Sequence, residues 1–234
     1  MSHSAVTHLI AVHGWAGDSR AWRPWADLAA ARGWRFSTAE RGYGALEPHA
    51  PSWDPQAEQR VVIGHSLGPH LLPGPLWEQA TAAVLLASFA GFVPAGPAGR
   101  RTRAALQAMD QRLQAGDAVA MLREFFVEAA APQPPSALPA GPLEQGLSSD
   151  GQERLLADLR QLGRTADLPP GFPRQIPQLI VEAADDQIVH PASRAALRHA
   201  LPAATVWTLE PAGHCLLEPA LPERVLSWIA DALA

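Results

Sequence analysis

A serine held between two glycines at the end of an apolar run is where chemistry can first be read: RVVIGHSLG, residues 60–68, places Ser66 between Gly64 and Gly68. A serine hydroxyl is a weak nucleophile unless a base lies beside it and a third group orients that base. Two later segments offer such groups in chain order. ADDQIVHP, residues 184–191, carries Asp185 and Asp186, and EPAGHCLLEP, residues 210–219, carries His214. A strained turn that lifts a serine hydroxyl above a sheet leaves no room for a β-carbon on either side, which accounts for both glycines. The pentapeptide alone recurs by chance as an ordinary glycine-rich turn. What favours the nucleophile elbow is its company: a strand just before it, an apolar segment just after it, and an acid and a histidine each following a later strand.

Those residues need a scaffold, and short apolar runs separated by helical patterns supply one. THLIAVHG (7–14), WRFSTAE (34–40), RVVIGH (60–65), AAVLLAS (82–88), QLIVEA (178–183) and ATVWTLE (204–210) read as six strands of a mostly parallel α/β sheet. Residues 19–32 form an amphipathic helix, with Ser19 as N-cap and Trp22, Trp25, Leu28 and Ala29 on one face. Further helices are expected near 191–200 and 221–234. Only six residues precede Thr7, so no extra strand is expected ahead of the first. After Ser66, Pro69 falls in a first helical turn and loses no bond, whereas Pro73 removes an interior N–H and should shorten or kink the helix.

Between the fourth and fifth strands the alternation stops. Leu106, Met109 and Leu113 align within 100–115, Val119, Leu122, Phe126 and Ala129 within 117–130, and Leu155, Leu159 and Leu162 within 150–162, with a proline-rich joint at 131–142. The expected organisation is a core of 1–88 and 176–234 with a helical lid, 89–175, over the carboxyl edge of the sheet, where such folds bind ligands.

Composition narrows the function classes. All 18 basic residues are arginine and the formal net charge is -5, which argues against a nucleic-acid binder. The single cysteine, Cys215, excludes an internal disulfide and a multi-cysteine metal site, and no metal or cofactor is expected. No stretch approaches a membrane span, and the amino terminus lacks a basic segment followed by a long apolar one. A cytoplasmic monomer is the simplest expectation.

HGWAGDSRAW (13–22), GHSLG (64–68), DDQIV (185–189) and Gly213-His214 together resemble the α/β-hydrolases, in order and over the whole chain. The resemblance implies Ser66 as nucleophile, His214 as base and an aspartate as its partner. Relatives commonly show G-x-x-D-x-[ILV]-[VT]-P at the acid. With Asp186 in that register Ile188, Val189 and His190 fill the last three places, whereas Asp185 would put Gln187 at an apolar one, so Asp186 is chosen and Asp185 kept second. The backbone N–H of Leu67 is one expected oxyanion donor, and by family likeness that of Trp15, after His13-Gly14, is the other. His13 and His65 are read as structural, and Cys215 as a buried filler.

A narrower resemblance, to the pimeloyl-acyl-carrier-protein methyl ester carboxylesterases of biotin synthesis, rests on SFAGFVPAG, LQAMDQRLQAGDAVAMLREFF and ERLLADLRQLGRTADL. It implies substrate contacts at Trp15, Arg123, Phe125, Phe126 and Ala129, although lid packing explains both phenylalanines equally well. It also implies an acidic acyl-carrier protein as partner. Residues 89–175 hold nine Arg against nine Asp plus Glu, while the rest holds nine against fourteen. Arg100, Arg101, Arg103 and Arg112 against Asp110 therefore make a locally basic helix, either a carrier-protein surface or a solvated face. The alternatives are a general carboxylesterase or lactonase on small free esters, and a non-catalytic binding module.

Overall fold

The three runs richest in apolar residues are the most deeply buried strands. In the computed structural model, which describes residues 5–234, β1 (Thr7–Val12), β4 (Ala82–Leu86) and β5 (Gln178–Ala183) are buried at every position. Parallel strands covered on both faces read as continuous apolar runs for this reason. With β2 (Arg35–Ala39), β3 (Gln59–His65) and β6 (Thr205–Leu209) they form one sheet in the order β2-β1-β3-β4-β5-β6, every pair parallel. Residues 1–4, which begin the stretch read above as lacking a leader, lie outside the described residues.

Strand alternation sends Leu9, Ala11, Val61, Ile63, Val84 and Val181 to one face, against Trp25 of α1 (Arg23–Ala31) and Val225 and Ile229 of α8 (Leu221–Ala232). Ile10, Val62, Leu85 and Ile180 face the other way, against Trp77 of α2 (Gly74–Glu78) and Leu197 of α7 (Pro191–Ala200). Burying each of these valine, leucine and isoleucine side chains stabilises the fold by about 1.5–3 kcal/mol. The chain runs from β1 outward to β2 and then returns to β3 on the other side of β1, so the crossovers diverge between β1 and β3. That divergence opens a crevice at their carboxyl ends, where residues 13–15 and 66 lie.

The segment between β4 and β5 contains α3 (Gly96–Gln114), α4 (Ala118–Ala130), α5 (Pro142–Gln145) and α6 (Ser149–Arg164), with one isolated bridge, Gly91 to Ala166, near its two ends. Its apolar faces close a third cluster that includes Leu122, Leu155 and Leu159 together with Trp15, Tyr43 and Leu67 of the core.

Several local expectations change. The helix expected from residue 19 opens as a 3-10 turn, Ser19–Trp22, and its cap is Asp18, whose carboxylate accepts the Arg20 N–H at 2.9 Å. Ser19 is instead the first residue of that turn, and its N–H donates to buried Glu40 at 2.8 Å. Of the two outcomes expected at Pro73, shortening is the one seen: a 3-10 turn, Gly68–Leu71, stops before Pro73, and α2 starts at Gly74. On α4 the buried face runs through Ala118, Met121, Leu122 and Ala129, and Val119 is 43% exposed. Among the described residues no helix is long and apolar enough to cross a membrane.

Candidate active site

Ser66 leaves β3 in the left-handed region, at φ 54, a conformation that disfavours any side chain. Neighbours hold it there. Its N–H donates to the Leu86 carbonyl at 2.9 Å, and its carbonyl accepts the Ser88 hydroxyl at 2.7 Å. A β-carbon on Gly64 would lie 2.4 Å from Pro69 Cγ, and one on Gly68 would lie 2.6 Å from the Val12 carbonyl oxygen. The turn is thus packed against the end of β1 at a distance only glycine permits. Gly68→Ala should lower stability by about 1–3 kcal/mol, read as a shifted denaturant midpoint, because backbone rather than a flexible side chain must yield.

Three polar side chains converge above this turn. His214 Nε2 lies 3.0 Å from Ser66 Oγ, and His214 Nδ1 lies 3.0 Å from Asp186 Oδ2. Asp186 Oδ1 accepts the N–H groups of Ile188 and Val189 at 2.8 and 2.9 Å. Burial pushes the Asp186 carboxyl up, but the neighbouring His214 and these two N–H donors outweigh it and hold the group below its ordinary value. An ionised Asp186 keeps the proton on Nδ1, which leaves Nε2 free to accept from Ser66. Asp185 is exposed and touches this arrangement only through its backbone N–H, which donates to the Ala212 carbonyl at 2.9 Å.

The other residues singled out from sequence fall into place around it. His65 Nε2 donates to the His214 carbonyl at 2.9 Å, tying the His214 loop to the Ser66 turn. Burial and the adjacent His214 push the His65 pKa down to about 4, so it is neutral at ordinary pH. His13 Nδ1 donates to the Gly14 carbonyl at 2.9 Å while its Nε2 accepts the Arg41 N–H at 3.1 Å, an assignment that leaves it no role as base to Ser66. Burial, reinforced by Asp186, pushes the Cys215 thiol up to about 12, so it is no rival nucleophile. A β-carbon on Gly14 would approach Ser66 Cβ to 2.9 Å, which sets the Trp15 turn directly over the serine. Neither the Trp15 nor the Leu67 backbone N–H has a main-chain acceptor among the described residues.

A cavity of about 800 Å³ opens beside this turn, reaching it at His65 and His214, with Trp15, Phe125, Phe126 and Ala129 in its wall and Arg123 exposed at its edge. Trp22 and Trp25 of the opposite wall also reach it, although their spacing read only as a core face. Glu144, Glu218 and Asp18 are its acidic members. Arg100, Arg101 and Arg103 are exposed on α3 and do not line it. The basic reading of α3 changes at Arg112, whose guanidinium is taken by Asp117 at 2.7 Å and Glu124 at 2.5 Å, while Asp110 is paired with Arg160 at 2.6 Å. Among the described residues no group of three or more His, Cys, Asp or Glu could hold a metal ion.

The profile described as alpha/beta hydrolase family matches residues 9–228. No curated protein matches the chain. Among solved structures, an esterase from Exiguobacterium antarcticum is similar with a TM-score of 0.68 at 16% identity, over 97% of this chain and 92% of that one. An esterase from Thermogutta terrifontis gives 0.69 at 15% identity, over 97% and 91%. A bromoperoxidase from Bacillus anthracis gives 0.65 at 16%, over 98% and 93%. Likeness at these identities establishes the fold.

Proposed function

Because the chain belongs to the alpha/beta hydrolase family, we propose that it is a serine carboxylesterase whose nucleophile, base and acid are Ser66, His214 and Asp186. The observation that carries this reading is the hydrogen-bonded line from Asp186 through His214 to Ser66, with 3.0 Å at both steps, beside a largely apolar cavity of about 800 Å³. Ser66 Oγ attacks the ester carbonyl as His214 Nε2 takes its proton. The N–H groups of Leu67 and Trp15 receive the negative charge on the former carbonyl oxygen. Collapse expels the alcohol with the proton returned by His214. Water, deprotonated by the same imidazole, then attacks the acyl-enzyme and releases the carboxylic acid.

By resemblance, the substrate is the methyl ester of a pimeloyl chain whose other end is a thioester on acyl-carrier protein, the leaving alcohol is methanol, and the helical segment between β4 and β5 is the lid. Phe125 and Phe126 would flank the acyl chain, and Arg100, Arg101 and Arg103 would meet the acidic carrier. A second reading, a general esterase on free neutral esters, is favoured by a largely apolar cavity with little free charge: of its lining carboxylates Asp18 is paired with Arg20 at 2.6 Å and Glu218 with Arg224 at 2.9 Å, which leaves Glu144 opposite the lining Arg123.

Salt separates the two. Exposed charges are screened over about 8 Å at physiological ionic strength, so a carrier drawn to α3 should be turned over more slowly as salt rises. Replacing Arg100, Arg101 and Arg103 together by Ala should lower kcat/KM for the carrier-bound methyl ester and flatten its salt dependence. Turnover of a p-nitrophenyl acylate should stay near wild type. No loss on either substrate would favour the general esterase, and complementation of a biotin auxotroph lacking this esterase would favour the carrier-bound one.

A further inference from the structure

We propose that Asp158, on α6, is a positioning residue for the oxyanion-binding turn at Gly14-Trp15, acting through Arg41 and His13. This rests on the serine-esterase reading, and it concerns side chains to which that mechanism gives no task. Asp158 is 2% exposed. Its carboxylate accepts Arg41 Nε and Nη2 at 2.8 and 2.7 Å and the Tyr43 hydroxyl at 2.6 Å. The Arg41 backbone N–H donates to His13 Nε2 at 3.1 Å, and His13 Nδ1 donates to the Gly14 carbonyl at 2.9 Å. That carbonyl and the Trp15 N–H belong to one peptide plane. A donor on the oxygen therefore fixes the direction of the N–H, and it polarises that N–H toward a developing negative charge. The Gly17 N–H adds a second donor to the same oxygen at 3.2 Å.

The chain of contacts closes on itself. Trp15 Nε1 donates to the Leu155 carbonyl at 2.8 Å, one helical turn before Asp158. α6 thus holds the Trp15 turn at its side chain and, through three residues, at its peptide. The helix is seated closely on the intermediate segment: a β-carbon on Gly151 would lie 2.0 Å from the Tyr43 carbonyl oxygen, and Arg154 Nη2 donates to the Gly42 carbonyl at 2.8 Å. An arginine–aspartate pair with only the carboxylate fully buried, as here, adds little net stability, because desolvation of Asp158 offsets the attraction. What it adds is direction, since a bidentate guanidinium admits few orientations.

The experiment compares wild type, Asp158→Asn and Tyr43→Phe as full chains. Each is assayed for p-nitrophenyl acylate turnover, for binding of a trifluoromethyl ketone, which forms an oxyanion adduct on serine, and for binding of the corresponding secondary alcohol, which forms none. Asp158→Asn should lower kcat by about tenfold to a hundredfold with KM little changed. The ketone should weaken by the same factor while the alcohol binds as in wild type. Tyr43→Phe, which removes one of the three bonds to Asp158, should show a smaller loss in the same ratio, and it decides the matter if Asp158→Asn does not fold. Wild-type kcat and ketone affinity in the folded variants would overturn the proposal, as would equal weakening of ketone and alcohol, which would make the network a cavity wall. A wild-type enzyme whose turnover and ketone binding survive Ser66→Ala would instead defeat the esterase reading on which the proposal stands.

Discussion

Ser66→Ala should reduce ester turnover by about a millionfold, to the level at which binding and oxyanion donors act alone. Fluorophosphonate labelling, which requires the same hydroxyl, should disappear with it. The loss should be chemical and not a failure to fold. Alanine has the same β-carbon as serine, so the strain at φ 54 is unchanged, and the bonds that hold the turn, to Leu86 and Ser88, come from the backbone of residue 66. Ser66→Gly sharpens the point. Glycine occupies the left-handed region without steric cost, so this variant should be equally inactive yet no less stable than wild type, as read by thermal unfolding. Activity near wild type in Ser66→Ala would end the serine mechanism. A large drop in Tm in both variants would show the hydroxyl to be a structural pin.

The same strain explains why the elbow could be read in the sequence. A side chain held at positive φ against β1 needs glycine at 64 and 68, and that requirement is written in five consecutive letters. The central strands were legible for a related reason: burial on both faces favours apolar residues, so β4 is apolar throughout and β1 and β5 carry the runs Leu-Ile-Ala-Val and Leu-Ile-Val. Long-range polar partners leave no such mark. Asp158 looks like any acidic residue of an amphipathic helix, and its bonds to Arg41, 117 residues away, follow from how α6 lies on the core. Arg112 likewise read as a free positive charge until the turn after α3 brought Asp117 and Glu124 to it. The cap at this turn falls one residue earlier than Ser19, on Asp18, because it is the Asp18 carboxylate that accepts the Arg20 N–H, while Glu40, which follows β2, takes the Ser19 N–H. The N-terminus of α3 was hidden by Gly96, Pro97 and Gly99. Gly99 is needed there because a β-carbon would fall 1.8 Å from the Pro94 carbonyl oxygen. Local geometry writes itself into neighbouring residues, whereas tertiary contact does not.

Asp186→Asn should lower kcat by about ten-thousandfold while Asp185→Asn stays near wild type, although the two residues are adjacent and chemically identical. The difference lies in what each carboxylate faces. Asp186 Oδ1 is fixed by two N–H donors, from Ile188 and Val189, so only an oxygen can sit there. In Asp186→Asn the amide oxygen must take that place, which turns the NH₂ toward His214 Nδ1. An NH₂ cannot accept, so the imidazole must accept instead and carry its proton on Nε2. Nε2 then has no lone pair for the Ser66 hydroxyl, and the proton transfer that accompanies attack is blocked. The shape of the site is retained throughout, so KM should change far less than kcat and the unfolding midpoint only slightly. Asp185 has an exposed side chain and is held by its backbone N–H to Ala212, a bond that asparagine preserves. The steady-state kcat of the two variants on one ester settles the assignment: the reverse ranking would transfer the acid's role to Asp185, and near-wild-type rates in both would mean that His214 is oriented by something other than a carboxylate.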